Sequence, residues 1–170
     1  MRQGGFAYVM ILILVVMMGA GLAMVGTQWD LARQREREHE LLFIGHQYRL
    51  AIGRYYQQSS GTLKRYPAAL DDLLKDPRLP RTERYLRTPY RDPMATGEEG
   101  WGLVMAPEGG IMGVFSKSEQ RPLKRANFTG LDHVFEEVSL QRGEEMRYAD
   151  WQFVYRPHMA AATVTPRGLR

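Results

Sequence analysis

Between Arg2 and Asp30 the chain carries no charged side chain, and within that span Phe6–Val25 reads FAYVMILILVVMMGAGLAMV. A helix of this length spans about 30 Å, the thickness of a bilayer's hydrocarbon core. Such a run is too long and too uniformly apolar for one face of a soluble core helix, so its surface needs lipid or other apolar helices around it. Gly19, Gly21 and Gly26 are placed to soften the helix or to let a neighbouring helix approach closely.

Three readings of this N-terminus are open. In the first it is a cleaved secretory signal, with Gly21-Leu22-Ala23 supplying small residues at a signal-peptidase spacing. In the second it is an uncleaved signal anchor. In the third, cleavage falls before the apolar run, between Gly5 and Phe6, and the run is kept. Loop charge does not choose among them. Arg2 lies on one side and Arg33, Arg35 and Arg37 on the other, which by itself favours a cytoplasmic C-terminus.

Beyond the apolar run, Gln28–Gln58 contains no proline and reads as a continuation of the helix. Arg33–Glu36, Arg35–Glu38 and Arg37–Glu40 set opposite charges three residues apart, a pattern that predicts a solvated stretch. From Leu41 a stripe of Leu41, Ile44, Tyr48, Ile52 and Tyr55 predicts a core-facing face. Ser59-Ser60-Gly61 supplies a helix stop. Tyr66-Pro67 then opens a short helix bearing Leu70, Leu73 and Leu74. Trp101–Met105 and Ile111–Ser116 read as a hairpin joined by Ala-Pro-Glu-Gly-Gly, and Trp151–Tyr155 as a third strand. Leu131, Val134, Phe135 and Val138 keep a helical period, and 120–130 reads as loop.

No catalytic constellation is visible. His39, His46, His133 and His158 are scattered without metal spacing, and no nucleophile elbow or phosphate loop accompanies the Ser, Asp and Gly residues. The chain has no cysteine, which excludes disulfides, thiolate metal sites and thiol nucleophiles. Net charge is +4 with both signs interleaved, which argues against a general nucleic-acid surface.

Met-Arg-Gln-Gly-Gly followed by Phe-Ala-Tyr-Val-Met resembles the N-terminus of type IV pilins and type II secretion pseudopilins. Tyr66-Pro67, Tyr85-Leu86, Pro89, Asp92-Pro93, Gly97 and Trp101 follow in the order seen in major pseudopilins. The resemblance covers residues 1 to about 105 and thins out beyond. It implies cleavage by the prepilin peptidase between Gly5 and Phe6, N-methylation of Phe6, and a structural rather than enzymatic role. The implied partners are other pseudopilins in a short periplasmic filament and an inner-membrane assembly platform. One position departs from the family pattern. Met10 stands at the fifth mature residue, where the family carries a Glu that pairs with a neighbouring subunit's amine, and this departure is similar to that of subunits at a filament tip. The resemblance also raises calcium in a loop before the last strand, where Asp150, with Glu144 or Glu145 behind it, offers hard oxygen ligands.

The expected fold is α+β: a long N-terminal helix, half membrane-embedded and half amphipathic, packed on a small antiparallel sheet in the pilin-like lollipop plan. The expected parts are a leader (1–5), a transmembrane or filament-core helix (6–27), its continuation (28–58), a periplasmic head (59–155) and a tail (156–170). A type IV minor pilin for adhesion or DNA uptake, using Lys64, Arg65, Arg81, Arg84, Arg87 and Arg91, is the first alternative. A signal-anchored periplasmic binding protein is the second.

Overall fold

The computed structural model describes residues 4–59, 64–97 and 99–157, without the side chains of Gly4 and 20–28. Leader residues 1–3, the Ser60-Gly61 stop, His158 and tail residues 158–170 lie outside the described residues, as do the side chains of Gly21, Leu22 and Ala23.

Helix α1 (Gly4–Gln57) is divided between two compact units, Met1–Arg37 and Glu38–Arg170. The expectation of a lollipop built on one long helix with a membrane-spanning half is corrected: among the described residues no helix is long and apolar enough to cross a membrane. The apolar stretch whose side chains are described, 5–19, is 15 residues. Each of the two units is described by itself. The coarser expectation, helices with a small antiparallel sheet, is what the fold retains.

In the first unit, every described residue from Gly5 to Gly19 is exposed. In the second unit the α1 stripe is the spine of the core: Leu41, Ile44, Tyr48, Ile52 and Tyr55 are all buried, as their spacing predicts. The sheet packed against it has strands β1 (Gly102–Met105), β2 (Ile111–Phe115) and β3 (Gln152–Val154), in that order and antiparallel throughout. The β1–β2 turn closes with Ala106 N–H donating to Gly110 O (2.9 Å). Gly109 and Gly110 take φ values of 92° and 86° there, a conformation that favours glycine.

Two helix glycines set how closely β3 and the residue after it approach α1. A Cβ at Gly45 would lie 2.4 Å from the Phe153 ring, and one at Gly53 would lie 2.7 Å from the Tyr155 ring. Helix α2 (Val134–Arg142) follows a 3₁₀ turn, Gly130–His133, and docks through Phe135, whose ring stacks on Trp151 at 5.6 Å between centroids.

The short helix expected after Tyr66-Pro67 is only a 3₁₀ turn, Leu70–Leu73. Its flanking carbonyls are taken from outside: Pro67 O accepts from Ile111 N–H (2.8 Å), and Leu73 O from the Tyr85 and Leu86 amides (2.9 and 3.0 Å). Carbonyls recruited by the sheet and by the 85–86 segment cannot also carry a helical ladder. Leu73 is nevertheless fully buried, as the spacing of the leucines suggests.

Candidate functional site

The N-terminal junction lies in the first turn of α1. Helix starts leave their amides without intrahelical partners and fray most readily. A Cβ at Gly5 would meet nothing within 4 Å, so nothing in the described residues crowds the Gly5–Phe6 bond. Phe6 is 78% exposed and Met10 63%. Tyr8, Val9, Ile11 and the residues through Met18 are likewise exposed, forming an apolar surface all round the helix.

The expected calcium residues are placed around arginines. Glu144 and Glu145 are exposed on a 3₁₀ turn, Gly143–Glu145, while Asp150 ends a second turn, Tyr148–Asp150. Asp150 Oδ2 accepts from Arg147 N–H (2.9 Å), and Asp150 Oδ1 pairs with Arg142 Nη1 (3.0 Å). The Glu144 carbonyl accepts from Arg147 Nη1 (3.3 Å). Among the described residues no three His, Asp or Glu side chains converge as a metal site requires. The Arg142 guanidinium thus holds one Asp150 oxygen and the Arg147 amide the other, while the Arg147 guanidinium takes the Glu144 and Met146 carbonyls.

Three buried carboxylates organise the second unit instead. Glu38, expected on a solvated stretch, is buried. Its Oε2 accepts from Leu123 N–H and from the Tyr148 hydroxyl (2.8 Å each), and its Oε1 from Lys124 N–H (2.9 Å). The signal for it was in the sequence, because Glu38 stands three residues before Leu41 and so extends the core stripe by one turn. Asp92 is buried, with Oδ2 accepting from the Ser116 hydroxyl (2.6 Å) and Oδ1 from Met94 N–H (2.9 Å).

Asp76 is the third. Arg78 donates to it from Nε and Nη2 (2.9 and 2.7 Å) and through its own amide (2.9 Å), and the Tyr85 hydroxyl donates at 2.9 Å. The same guanidinium lies 3.5 Å from the centre of the Tyr55 ring and donates to Tyr55 O (3.0 Å) and Ser59 Oγ (2.6 Å), fastening the C-terminal end of α1. The side-chain hydrogen bonds from Arg78 lower the Asp76 carboxyl to about 2 against the opposing effect of burial. Burial, reinforced by the Asp76 charge, pushes Tyr85 up to about 12.

The residues that carry the pseudopilin resemblance are thereby given structural work. Tyr85 holds Asp76, Asp92 holds Ser116, and Trp101 Nε1 donates to Tyr90 O (2.9 Å), which also accepts from the Tyr48 hydroxyl (3.1 Å).

The second unit also has a groove of about 550 Å³ between α1, α2 and β3, which no sequence motif announced. Leu50, Val134, Val138 and Val154 give it apolar walls, and Arg49, Arg54, Arg142 and Arg156 line it with Asp150 as the single acid among the described residues. Arg49 is buried and pairs with Asp132 at 2.7 Å, yet its Nε has no hydrogen-bond partner among the described residues.

No family model, no curated protein and no solved structure matches this chain.

Proposed function

We propose that the chain is a pseudopilin, a structural subunit of a pilus-like type II secretion apparatus. It is drawn from the inner membrane into a short periplasmic filament. The observation that carries this reading is the apolar surface of Phe6–Met18, exposed on all sides and beginning at the Gly5–Phe6 junction. An apolar surface without a cover in its own chain needs one from outside. Lipid supplies it before assembly, and the apolar helices of neighbouring subunits supply it afterwards. Both covers are apolar, so one side-chain set serves both states.

On this reading the prepilin peptidase cuts between Gly5 and Phe6 and methylates the new amine. The exposed apolar surface keeps the subunit at the inner membrane, and residues 59–155 face the periplasm. The order Tyr66-Pro67, Tyr85, Asp92-Pro93 and Trp101 supports the same reading, since each of these fastens a segment of the second unit.

Mass spectrometry of the mature N-terminus from native membranes tests the proposal. N-methyl-Phe6 is expected. A chain beginning at Met24 would mean an ordinary secretory signal and would overturn it.

A further inference from the structure

We infer that the groove between α1, α2 and β3 is a docking site for an extended segment of a partner protein that alternates apolar and acidic side chains. The inference concerns the second unit alone and does not depend on the filament reading.

Three observations carry it. The first is charge. Arg49 is matched by Asp132 and Arg142 by Asp150, but Arg54 and Arg156 have no carboxylate partner among the described residues. Two unmatched guanidinium groups at one groove select for carboxylates, which they can bind through paired hydrogen bonds. The second is apolar exposure. Leu50 is 39% exposed on the groove wall opposite Val134 and Val138 of α2, so the site also selects for aliphatic side chains.

The third is the sheet edge. Among the described residues β3 pairs with β2 alone. Tyr155 N–H donates to Met112 O (2.9 Å), so by alternation the amides and carbonyls of Gln152 and Val154 point away from β2. These same two residues line the groove. An extended segment added there gains main-chain hydrogen bonds, while its alternate side chains meet the apolar wall and the arginines. The chain's own residues 158–170 contain arginines and no acid, so they lack the complementary side-chain charge.

The test is a fluorescence-anisotropy titration of the full-length protein in detergent with a labelled peptide of about eight residues alternating Val and Glu. Saturable binding is expected, weakened several-fold between 50 and 300 mM salt as screening increases. Arg54→Glu with Arg156→Glu should weaken it by about tenfold or more. Both positions are exposed, so the fold tolerates the change. Leu50→Glu, also exposed, should weaken it independently, and a peptide N-methylated at alternate amides should not bind. Equal binding of a Val/Lys peptide, or no effect of the charge reversals, would overturn the inference. Binding only after residues 158–170 are removed would assign the groove to the chain's own tail. Competition by self-association would assign it to a second copy, and either result also overturns it.

Discussion

Asp76→Asn tests the clamp that closes the C-terminal end of the α1 core stripe. The wild-type carboxylate is 2% exposed, receives two guanidinium hydrogen bonds, one amide and one phenol, and has its pKa lowered from 3.8 to about 2. That fall is equivalent to about 2 kcal/mol of preference for the ionised form in the folded protein. Because the folded-state value is the lower one, the contribution is fully present above the unfolded value near 4. It is lost as pH falls from about 4 through about 2. Asparagine keeps the shape but not the charge, and its amide nitrogen must face Arg78 or Tyr85. At pH 6 the variant should therefore be less stable by about 2–3 kcal/mol. At pH 2 the gap should shrink to well under about 1 kcal/mol, because the wild-type carboxylate is then losing its charge as well. Urea unfolding of both full-length proteins at a series of pH values, followed through tryptophan fluorescence, gives the difference directly. Other carboxylates titrate in both proteins and cancel. A gap that stays constant from pH 6 to pH 2 would show that the charge of Asp76 is not what the clamp uses.

Other expectations follow from the same geometry. Glu38→Ala removes the acceptor for two backbone amides and the Tyr148 hydroxyl, and should cost about 3–4 kcal/mol by the same unfolding assay. A double-mutant cycle with Tyr148→Phe should return a coupling of about 1 kcal/mol or more. Gly45→Ala should destabilise by about 1–3 kcal/mol despite alanine's better helix propensity, because its Cβ would fall 2.4 Å from the Phe153 ring; a stabilised variant would mean that β3 can retreat. On the proposed pseudopilin reading, Met10→Glu supplies the carboxylate that family carries at this position and should raise the subunit's share of isolated filaments; unchanged composition would count against a tip position.

The apolar pattern was legible because its period is local. The Leu41–Tyr55 stripe, the 101–116 hairpin, the 151–155 strand and the 131–138 helical period all depend on neighbours within two turns or one hairpin. The polar anchors were not legible, because their partners are remote: Glu38 bonds to amides 85 and 86 residues away, and Asp92 to a serine 24 residues away. Within the charge run Arg33–Glu40, only the spacing of Glu38 three residues before Leu41 shows that this carboxylate turns inward, and nothing local shows what it bonds to. Asp76 and Asp92, each before a proline, read as turn residues and are more than that. The calcium expectation rested on acidic residues near one another in sequence; the fold pairs Asp150 with Arg142 and leaves Glu144 and Glu145 exposed. The groove escaped altogether because its walls come from 49–57, 131–142 and 150–156, which share no period. The lollipop expectation went furthest astray in its membrane-spanning half, since among the described residues no helix is long and apolar enough to cross a membrane.

The second unit is satisfied unevenly, and the unevenness has a direction. A sheet of three short strands cannot by itself order the long connections 64–100 and 116–130, whose conformational entropy opposes folding. Glu38, Asp76 and Asp92 meet that cost by fixing those connections with charge-assisted hydrogen bonds, all three buried and all three partnered. At the groove the rule fails several times over. Leu50 stays exposed, and among the described residues Arg49 Nε is buried without a partner, Arg54 and Arg156 lack carboxylates, and β3 keeps one edge unpaired. A fold that fastens its loops so thoroughly elsewhere has the means to close this side as well. Other parts of the unit are also left open: Phe43 and Leu140 are exposed, and among the described residues Trp151 Nε1 is buried without a partner and β1 has an outer edge unpaired. What sets the groove apart is that an apolar wall, two cations and a strand edge meet there, the combination that an extended acidic and apolar segment can use.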